Sequence, residues 1–560
     1  FMSDKDAKIF FEKALKFFNE KKFDLAEKNF EDALKLAPGR VSILENLASI
    51  YLINKKFEKS ENALIELDKK GVNNDKLDEI KFYVLKNLKK NHDLENFLKE
   101  KNYFKDKNKK IYINSKLLYP EFFSNDDEII HARKNLEKNI NELNQSKDLN
   151  LKLDGEMLDP PIFNLSYDQY ENLEINTKIV QILRKIYPEV NQNYKNKSTD
   201  KLNEKIKIGF ISEFFSNHTI AKLFKGIIFN LDQNKFKPFV FHSHKTEKSP
   251  IFQEFINHEI NSDLKNIVLS KNFQKNIEEI QRTNLDIIFF PDIGMSSEFY
   301  YLSFIRFAKT QITSWGHPIT TGNDSIDYFL SSKLLETENS QKKFSEKLIL
   351  SDYLPMYFYK PKIQKKLLDD EMIKKNVYFC SQNLMKFHPH FDEIIAKILI
   401  KDKKAKILFI KDKSEILSKK IIDRFKKNSL IDFDRINFLG KMSVEEYINL
   451  CGSSSVLLDT LYFGAGNSFH ESMFYGTPTV SMPTENLKSR IVLGAYKQMQ
   501  IENPPIVNSI DDYVETSVDI ANKNPFEMLE LKKYFQKQAN THLFENKNFL
   551  DEINQIFKNL

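Results

Sequence analysis

Three of the chain's 14 glycines fall in one stretch, FGAGNSFHESMFYGTP, between the apolar runs SVLLDT and TVSMP. Gly464 and Gly466 let backbone N–H groups approach a ligand closely, because glycine has no Cβ. A helix from Ser468 to Gly476, ended by a left-handed glycine and the proline beyond it, would place its positive end at this loop. Such a helix end binds anions, so the stretch predicts a phosphate site.

Glu471 leaves an alternative open at this loop. The letters SFHE form a capping box, in which the glutamate only satisfies the helix end. Lys386 favours the phosphate interpretation, because it follows the first strand of the same predicted domain at the equivalent place. A flexible ammonium there can bind a diphosphate as a point charge.

Short apolar runs that alternate with amphipathic helices must position these residues. The first series begins at Lys205 and comprises KIKIGFIS, KPFVFHSH, NIVLS, LDIIFFPD, KTQITSWGHP and IDYFLSS. After residues 355–372 a second series follows, with NVYFCSQ, KILFIKD, INFLG, SVLLD and TVSMP. Strands alternating with helices predict parallel sheets covered on both faces, hence two doubly wound α/β domains facing each other. Polar clusters follow the strands, so a substrate between the sheets would contact SEFFSNHT, PDIGMSS, SWGHPITTG, SQNLMKFHP and FGAGNSFHE.

The N-terminal third carries a repeat of 34 residues, seen by comparing EKKFDLAEKNFEDALKLAPG with NKKFEKSENALIELDKKG. Small and aromatic residues at helical spacing match between the two units: Phe23, Ala26, Phe30 and Ala33 with Phe57, Ser60, Leu64 and Leu67. This period is typical of tetratricopeptide repeats, and a third unit over 74–105 matches poorly. Two ordinary helical hairpins with a chance period are the alternative.

Composition bounds the class of protein. With 560 residues, 41% hydrophobic and 29% charged, the chain is expected to form two to four globular domains. The 85 basic and 79 acidic residues nearly cancel, which disfavours a nucleic-acid partner. Two cysteines form no disulfide framework, and no run resembles a leader or a membrane span, so a cytoplasmic location is expected.

Six blocks in this order resemble the O-GlcNAc transferase family, which includes bacterial protein N-glucosyltransferases and SPINDLY-type fucosyltransferases. They are ISEFFSNHTIAKLF, FFPDIGMSS, QITSWGHPITTGNDSIDYFLSS, FCSQNLMKFHPHFD, FLGKMSVEEYINL and LLDTLYFGAGNSFHESMFYGTPTVSMPTENLKSR. The resemblance covers about residues 155–530, and WGHP and PDIGM look closer to bacterial members. It implies a GT-B fold of two facing Rossmann-like domains, with a nucleotide sugar held mainly by the second and without a metal.

The domains are assigned accordingly. Residues 1–105 are expected to form tetratricopeptide-like helices, and 106–204 a helical connecting region packed on the catalytic domain. Residues 205–360 would form the N-terminal Rossmann-like domain. Residues 361–560 would form the nucleotide-sugar-binding domain, with the terminal helices.

The resemblance also implies donor-binding residues. Lys386 matches the lysine that contacts the donor diphosphate, Gln382 or Asn383 matches a polar donor contact, and Glu471 falls where relatives bind the ribose. The phosphate-facing turn is formed by Gly464, Gly466, Asn467 and Ser468. The animal enzymes have His-Thr-Thr where this chain has Gly-Asn-Ser, so the base and the sugar of the donor stay open.

Beside Lys386, three residues of the first domain are catalytic candidates. His218 matches a family histidine at the mouth of the domain, and its place at a helix start depresses its pKa, which favours a polar contact over a strong general base. Asp292 and His317 lie at predicted strand ends, either as cleft residues or as turn-forming residues. His388 is expected to cap the following helix, and no residue is singled out as the base for the acceptor.

The expected function is transfer of a sugar from a nucleoside diphosphate sugar to Ser/Thr or Asn side chains of a protein, with a UDP-linked donor favoured and a GDP-linked donor left open. The N-terminal repeats would hold the acceptor, and no cofactor, metal, nucleic acid or membrane would take part. A homodimer is an open option, because repeat hairpins often pair. The alternatives are a scaffold whose sugar-nucleotide domain has lost turnover, and a transferase acting on a glycan or lipid.

Overall fold

The structure is a computed structural model that describes residues 4–101, 108–192, 204–364 and 373–560. The chain forms two compact units. The first extends to Ser115 and includes Pro120–Phe122, and the second contains Lys116–Tyr119 and the chain from Phe123 onward. Within the described ranges, no helix combines the length and the apolar character that crossing a membrane demands.

Pairs of consecutive helices build the first unit. Its helices are Asp4–Asn19, Phe23–Leu36, Val41–Ile53, Phe57–Lys69, Asp75–Asn87, Asn91–Glu100 and most of Lys109–Lys116. The 34-residue period is present in the backbone, because Lys21, Lys55 and Lys89 take left-handed φ values of 58°, 60° and 55°. The third unit, which matched poorly by residue type, therefore repeats the same turn. The helices bury their small and aromatic faces, with Ala26 and Phe30 fully buried.

Further helices precede the first sheet. They are Asp126–Gln145 and Leu173–Ile186, with the one-turn segments Leu153–Glu156 and Ile162–Leu165 between them. A buried ion pair fixes this region, since Arg133 Nη1 lies 2.7 Å from Asp168 Oδ2. Tyr119 donates a hydrogen bond of 2.6 Å to the same carboxylate, so both Arg133 and Tyr119 stabilise the buried charge of Asp168.

Seven parallel strands form the first sheet, in the order β3-β2-β1-β4-β5-β6-β7. They are β1 Ile206–Ser212, β2 Phe236–Ser243, β3 Lys265–Leu269, β4 Ile287–Phe290, β5 Thr310–Ser314, β6 Tyr328–Ser332 and β7 Lys347–Ser351. The helices between them are Thr219–Phe229, Pro250–Ile260, Phe273–Thr283 and Ser297–Leu302. Strands such as β4 and β5 are buried along their whole length, as parallel strands covered on both faces require.

The second sheet has five parallel strands in the order β10-β9-β8-β11-β12. They are β8 Val377–Cys380, β9 Lys406–Ile410, β10 Ile436–Leu439, β11 Val456–Leu458 and β12 Thr479–Val480. Its helices are Phe391–Lys401, Ile416–Lys427, Val444–Ser453, Asn467–Ser472, Ile491–Gln498, Ile510–Ala521 and Pro525–Gln538. The predicted α/β fold with two doubly wound sheets after an all-helical region is confirmed.

The order of strands reverses between β1 and β4 in the first sheet and between β8 and β11 in the second. Ligands of open parallel sheets bind in the crevice beyond the carboxyl ends of the strands at such a point. Four of the five loops predicted to carry the site follow these same strands, and the fifth, SWGHPITTG, follows β5 beside them. Topology and sequence therefore select the same loops.

The last helix, Lys547–Lys558, packs on the first sheet rather than on the second. The Phe557 ring lies 6.4 Å from Phe210, 6.3 Å from Phe236 and 6.1 Å from Phe289, measured between ring centroids. The sequence assignment of all terminal helices to residues 361–560 is therefore wrong for this helix. Full burial of one such aromatic side chain contributes about 1.5–3 kcal/mol to the free energy of folding. The burial of Phe557 therefore favours packing of the last helix on the first sheet.

Candidate functional site

A buried carboxylate holds the loop after β11. Asp459 Oδ1 accepts a hydrogen bond from the Ala465 N–H at 2.7 Å, and its Oδ2 accepts one from the Ser481 hydroxyl at 2.6 Å. Burial raises the pKa of Asp459 to about 6. A Cβ added to Gly464 would lie 2.8 Å from Asp459 Oδ2. Glycine is therefore required at this position by the carboxylate beside it, a reason that the sequence did not reveal.

Lys386 extends from the loop after β8 to this same loop. Its Nζ donates hydrogen bonds of 2.8 Å to Gly464 O and 2.8 Å to Gln382 Oε1, and it lies 4.7 Å from the centroid of the Phe463 ring. Burial lowers the pKa of Lys386 to about 8, against the opposing charge of Asp459. Two of the three ammonium donors are used by neutral oxygens, which leaves one for a ligand.

Gln382 and Asn383 take different places, although the sequence could not separate them. Gln382 is buried and its Nε2 donates to Ser468 Oγ at 2.8 Å, so it joins the two loops of the site. Asn383 is exposed, and its side chain accepts a hydrogen bond of 3.0 Å from the Met385 N–H within its own turn. The geometry places Gln382 in the network around Lys386 and leaves Asn383 outside it.

The helix beyond the glycine loop is shorter than predicted. It runs over the six residues Asn467–Ser472 rather than from Ser468 to Gly476. Gly476 does take a left-handed φ of 66°, as expected for the residue that ends this segment. A helix of this length has a small dipole, so Lys386 supplies most of the positive charge at the loop.

Glu471 does not close a capping box with Ser468. The N-cap residue is Gly466, without a side-chain cap, and the buried Glu471 carboxylate forms an ion pair with Lys222. Lys222 lies on helix Thr219–Phe229 of the first sheet, so this pair joins the two Rossmann-like domains. The capping interpretation is therefore wrong.

His218 begins the same helix of the first domain. It is the N-cap residue, its Nδ1 accepts the Ile220 N–H at 3.3 Å, and its ring stacks on Phe214 at 4.4 Å between centroids. Burial, with the charge of Lys222, lowers the pKa of His218 to about 4. Because Nδ1 accepts, the proton of the neutral ring is on Nε2, which makes His218 a hydrogen-bond donor rather than a base.

Asp292 follows β4 and is almost fully buried. Its Oδ2 accepts a hydrogen bond of 3.0 Å from the hydroxyl of Ser212, the last residue of β1. Burial raises the pKa of Asp292 to about 8, and the charge of Glu213 acts in the same direction. Asp292 is therefore a neutral carboxylic acid near pH 7.

His317 lies in the loop after β5, buried against the Phe163 ring at 5.6 Å. Its Nδ1 donates to the Ile293 carbonyl at 2.8 Å, and burial lowers its pKa to about 4. Nε2 then carries the lone pair, and within the described ranges it has no hydrogen-bond partner. His317 can thus accept a hydrogen bond, where His218 can only donate one.

The predicted residues form two groups. In the second-domain group, hydrogen bonds join Lys386 to Gly464 and Gln382, and Gln382 to Ser468. Gly466 precedes the same short helix, and Glu471 on that helix pairs with Lys222 of the first domain. The first-domain group is His218, Asp292 and His317, at the ends of three neighbouring strands. Asn467 lies in the turn, with a buried Oδ1 that has no partner in the part of the chain described. Trp315, which follows β5 of the first domain, lies close to Gly466 of the second. A Cβ added to Gly466 would be 3.8 Å from the Trp315 ring, so the two groups are adjacent here.

Sequence reasoning missed several contributors. Lys222 is four residues after His218 on one helix, a spacing that places both on one face and could have drawn attention to it. Asp459 directly follows the run SVLL, where a carboxylate at a strand end is a visible signal. His388, expected to cap the helix Phe391–Lys401, instead accepts the N–H of His390, the residue before that helix.

Comparison with known proteins identifies a related family. Residues 173–367 match the model of glycosyl transferase family 41. The chain is 25% identical over 279 residues to a UDP-glucose:protein N-beta-glucosyltransferase of Actinobacillus pleuropneumoniae, a match covering 48% of this chain and 44% of that protein. It is 20% identical over 370 residues to a probable UDP-N-acetylglucosamine--peptide N-acetylglucosaminyltransferase of Arabidopsis thaliana, covering 63% and 37% respectively. The chain thus spans less than half the length of these relatives.

A solved structure shares the fold. A mutant of the Thermobaculum terrenum O-GlcNAc transferase superposes with a TM-score of 0.68 at 14% identity, covering 100% of this chain and 98% of that one. At this identity the likeness concerns the fold alone. Together with the family match, it confirms the resemblance on which the residue assignments rest.

Proposed function

Because residues 173–367 match glycosyl transferase family 41, we propose that this chain transfers a sugar from a UDP-sugar to a side chain of a protein. The names of the two relatives above specify UDP-glucose or UDP-N-acetylglucosamine as donor and a protein or peptide as acceptor. Ser/Thr and Asn side chains are both chemically open as acceptors. Helices of the N-terminal repeats would bind the acceptor chain.

The environment of Lys386 carries this proposal. Its buried ammonium is held by a carbonyl and an amide oxygen, and within the described ranges no carboxylate forms an ion pair with it. The Asp459 charge offsets only part of the cost of desolvating this ammonium, because the pKa of Lys386 is still lowered to about 8, so an anion that binds there would stabilise it further. The loops after β8 and β11 therefore fit a diphosphate.

Departure of UDP from the sugar develops negative charge on its phosphates. Lys386 would stabilise that charge in a site already organised by Gln382 and Gly464, so little reorganisation is needed during the reaction. The hydrogen bond from the remaining N–H of Lys386 to the diphosphate becomes stronger as this charge grows. It therefore stabilises the transition state more than the bound donor and lowers the activation barrier. In this proposal the ammonium takes the part that a divalent metal plays in other transferases.

The first-domain residues would orient the reacting groups. The Nε2–H of His218 donates to an oxygen of the donor or the acceptor, and the Nε2 lone pair of His317 receives an acceptor N–H or O–H. Asp292, neutral near pH 7, accepts the Ser212 hydrogen bond, can donate its own O–H, and carries no negative charge that would repel the phosphates. Glu471 would accept hydrogen bonds from the ribose hydroxyls once its pairing with Lys222 is rearranged.

Substitution of Lys386 tests the donor site directly. Lys386→Ala removes a charge-assisted hydrogen bond worth about 1.5–3 kcal/mol, so the Kd for UDP should rise roughly 10- to 150-fold in calorimetry. Lys403→Ala, which removes an exposed lysine of the same domain, serves as the matched control and should leave the affinity unchanged. Equal affinity of wild type and Lys386→Ala contradicts the assignment.

Turnover separates a transferase from a scaffold that binds UDP-sugars without reacting. The purified chain is expected to release UDP from UDP-glucose or UDP-N-acetylglucosamine, and to keep this activity in EDTA. Mass spectrometry of co-expressed proteins would then identify the modified side chain as Ser/Thr or Asn. Tight UDP binding without UDP release from any donor would favour the scaffold.

A further inference from the structure

A second cluster of polar side chains lies outside the sugar-nucleotide site. It combines Asp126, at the start of helix Asp126–Gln145, with His388 and His390, in the turn before helix Phe391–Lys401. One carboxylate oxygen and two ring nitrogens lie within 4.8 Å of one another. His390 Nε2 is 2.5 Å from Asp126 Oδ2, and His388 Nε2 is 3.6 Å from Asp126 Oδ1. The function proposed above makes no use of these groups.

One atom of the cluster lacks a partner, and one ring is already oriented towards it. Asp126 Oδ1 is buried and has no hydrogen-bond partner within the described ranges, although it faces the His388 ring. His390 Nδ1 lies 2.7 Å from the Tyr462 hydroxyl oxygen. The ring of His390 therefore lies between Tyr462 and the Asp126 carboxylate, which orients its Nε2 towards the carboxylate as a potential ligand.

We propose that Asp126, His388 and His390 bind a divalent transition-metal ion, with Zn²⁺ as the ion that fits best. Two imidazole nitrogens and one carboxylate oxygen are a donor set that Zn²⁺ takes in tetrahedral sites, at roughly 2.0–2.2 Å. The Gln169 Oε1, 3.0 Å from His388 Nε2, or a water molecule provides the fourth ligand. His390 and Asp126 are partly exposed, which gives the ion a route of entry.

Binding rearranges the hydrogen bonds of His388. Its Nδ1 accepts the His390 N–H at 3.2 Å, which places the ring proton on Nε2. Coordination through Nε2 moves this proton to Nδ1, so that His388 loses its hydrogen bonds to the His390 N–H and to Gln169 Oε1. Three ligand bonds replace these hydrogen bonds and the contact between His390 Nε2 and Asp126 Oδ2.

The site would connect elements that carry the donor groove. Asp126 belongs to the helical region before the first sheet, while both histidines follow β8. Tyr462 precedes Phe463, the residue over which the Lys386 ammonium lies. An ion here would therefore restrain the loop after β11 from outside the groove, without contacting the reacting sugar.

Titration of the whole, tag-free chain with Co²⁺ alone tests the site. Tetrahedral coordination should give visible absorption bands that saturate near one equivalent, and Zn²⁺ should displace them. Asp126→Asn and His390→Ala should each weaken Co²⁺ binding tenfold or more. His131→Ala, which removes an exposed histidine of the same helix as Asp126, should leave binding unchanged.

Thermal unfolding gives an independent readout. Zn²⁺ should raise the Tm of the wild type and of His131→Ala, since a ligand that binds only the folded state stabilises it, but not that of His390→Ala. UDP binding by every variant confirms that each one is folded. Equal Co²⁺ spectra in the wild type and His390→Ala, or no tetrahedral bands at all, would overturn the proposal.

Discussion

At the scale of single residues, the candidate site contains ionisable side chains in surroundings that do not favour their charged forms. Lys386 is a cation surrounded by neutral oxygens, and Asp292 is a carboxyl group whose buried surroundings favour the neutral form. Environments of this kind are costly for folding and are concentrated at functional sites. Substitution of such a residue is therefore expected to have an effect that the same substitution at an exposed position does not have.

Glu471 should discriminate between nucleotides with and without ribose hydroxyls. If its carboxylate accepts hydrogen bonds from them, the wild type will bind UDP about ten times more tightly than 2′,3′-dideoxy-UDP, and Glu471→Gln will reduce this ratio towards one. Calorimetry with both nucleotides measures the ratio. Glu530→Gln, at an exposed glutamate of the same domain, should retain the wild-type ratio. If the wild type bound UDP and 2′,3′-dideoxy-UDP with equal affinity, Glu471 would not contact the ribose hydroxyls.

Asp292 should make stability depend on pH. Its pKa is raised in the folded state to about 8, so its contribution is complete below the pKa of the unfolded chain and is lost as the pH rises towards 8. Asp292→Asn, which resembles the neutral acid, should therefore raise Tm relative to wild type at pH 8, and the gain should shrink towards pH 4. Calorimetric scans across this range measure it.

The control for this prediction is Asp423→Asn, which changes an exposed aspartate of the second domain. It should shift Tm by a similar amount at every pH. A constant difference between Asp292→Asn and wild type across the range would show that Asp292 is ionised in the folded protein.

At the scale of elements, the glycine loop after β11 is shaped by packing as well as by its ligand. The nearest contact of a Cβ on Gly464 is the Asp459 carboxylate, itself held by Ala465 and Ser481. The carbonyl of Gly464 also accepts the Lys386 hydrogen bond. A displaced loop would therefore affect both stability and the ammonium.

Gly464→Ala is expected to lower stability and UDP affinity together. Inserting a methyl group at 2.8 Å from Asp459 Oδ2 forces a backbone shift that costs about 1–3 kcal/mol. Chemical denaturation and calorimetry measure the two effects. Gly440→Ala is the matched control, because a Cβ there meets nothing within 4 Å. Equal stability of the two variants would show that the Asp459 contact is not tight.

At the scale of the whole molecule, the second compact unit contains all the residues proposed to bind the nucleotide sugar. The Lys222–Glu471 pair and the contact of Trp315 with the Gly466 turn join the two sheets. The last helix, Lys547–Lys558, adds a third connection by returning to the first sheet. The helical repeats before Ser115 form a unit of their own.

Removal of the repeats should separate donor chemistry from acceptor binding. A chain that begins at Lys116 is expected to bind UDP with unchanged affinity and to hydrolyse the UDP-sugar, while transfer to proteins falls at least tenfold. Calorimetry and mass spectrometry of modified proteins measure the two activities, with the untruncated chain as reference. Equal modification of proteins by both chains would show that the repeats do not bind the acceptor.

Much of the fold and part of the site were readable from the sequence. The alternation of apolar runs with amphipathic helices predicted both sheets, because strand and helix periods are local properties of the chain. Lys386 and Gly464 were recognised from their places after strands. The 34-residue repeat was found in two units, while the third unit kept the turn but not the residue types.

The sequence by itself determined which strands carry polar loops and the order in which these follow one another, since each signal spans fewer than about 20 residues. Only the tertiary structure decided which groups meet. Glu471 pairs with Lys222, 249 residues away, and Asp126 meets two histidines that follow β8. Such pairs are set by the packing of whole elements, because a residue's partner across the fold leaves no trace in its neighbours along the chain.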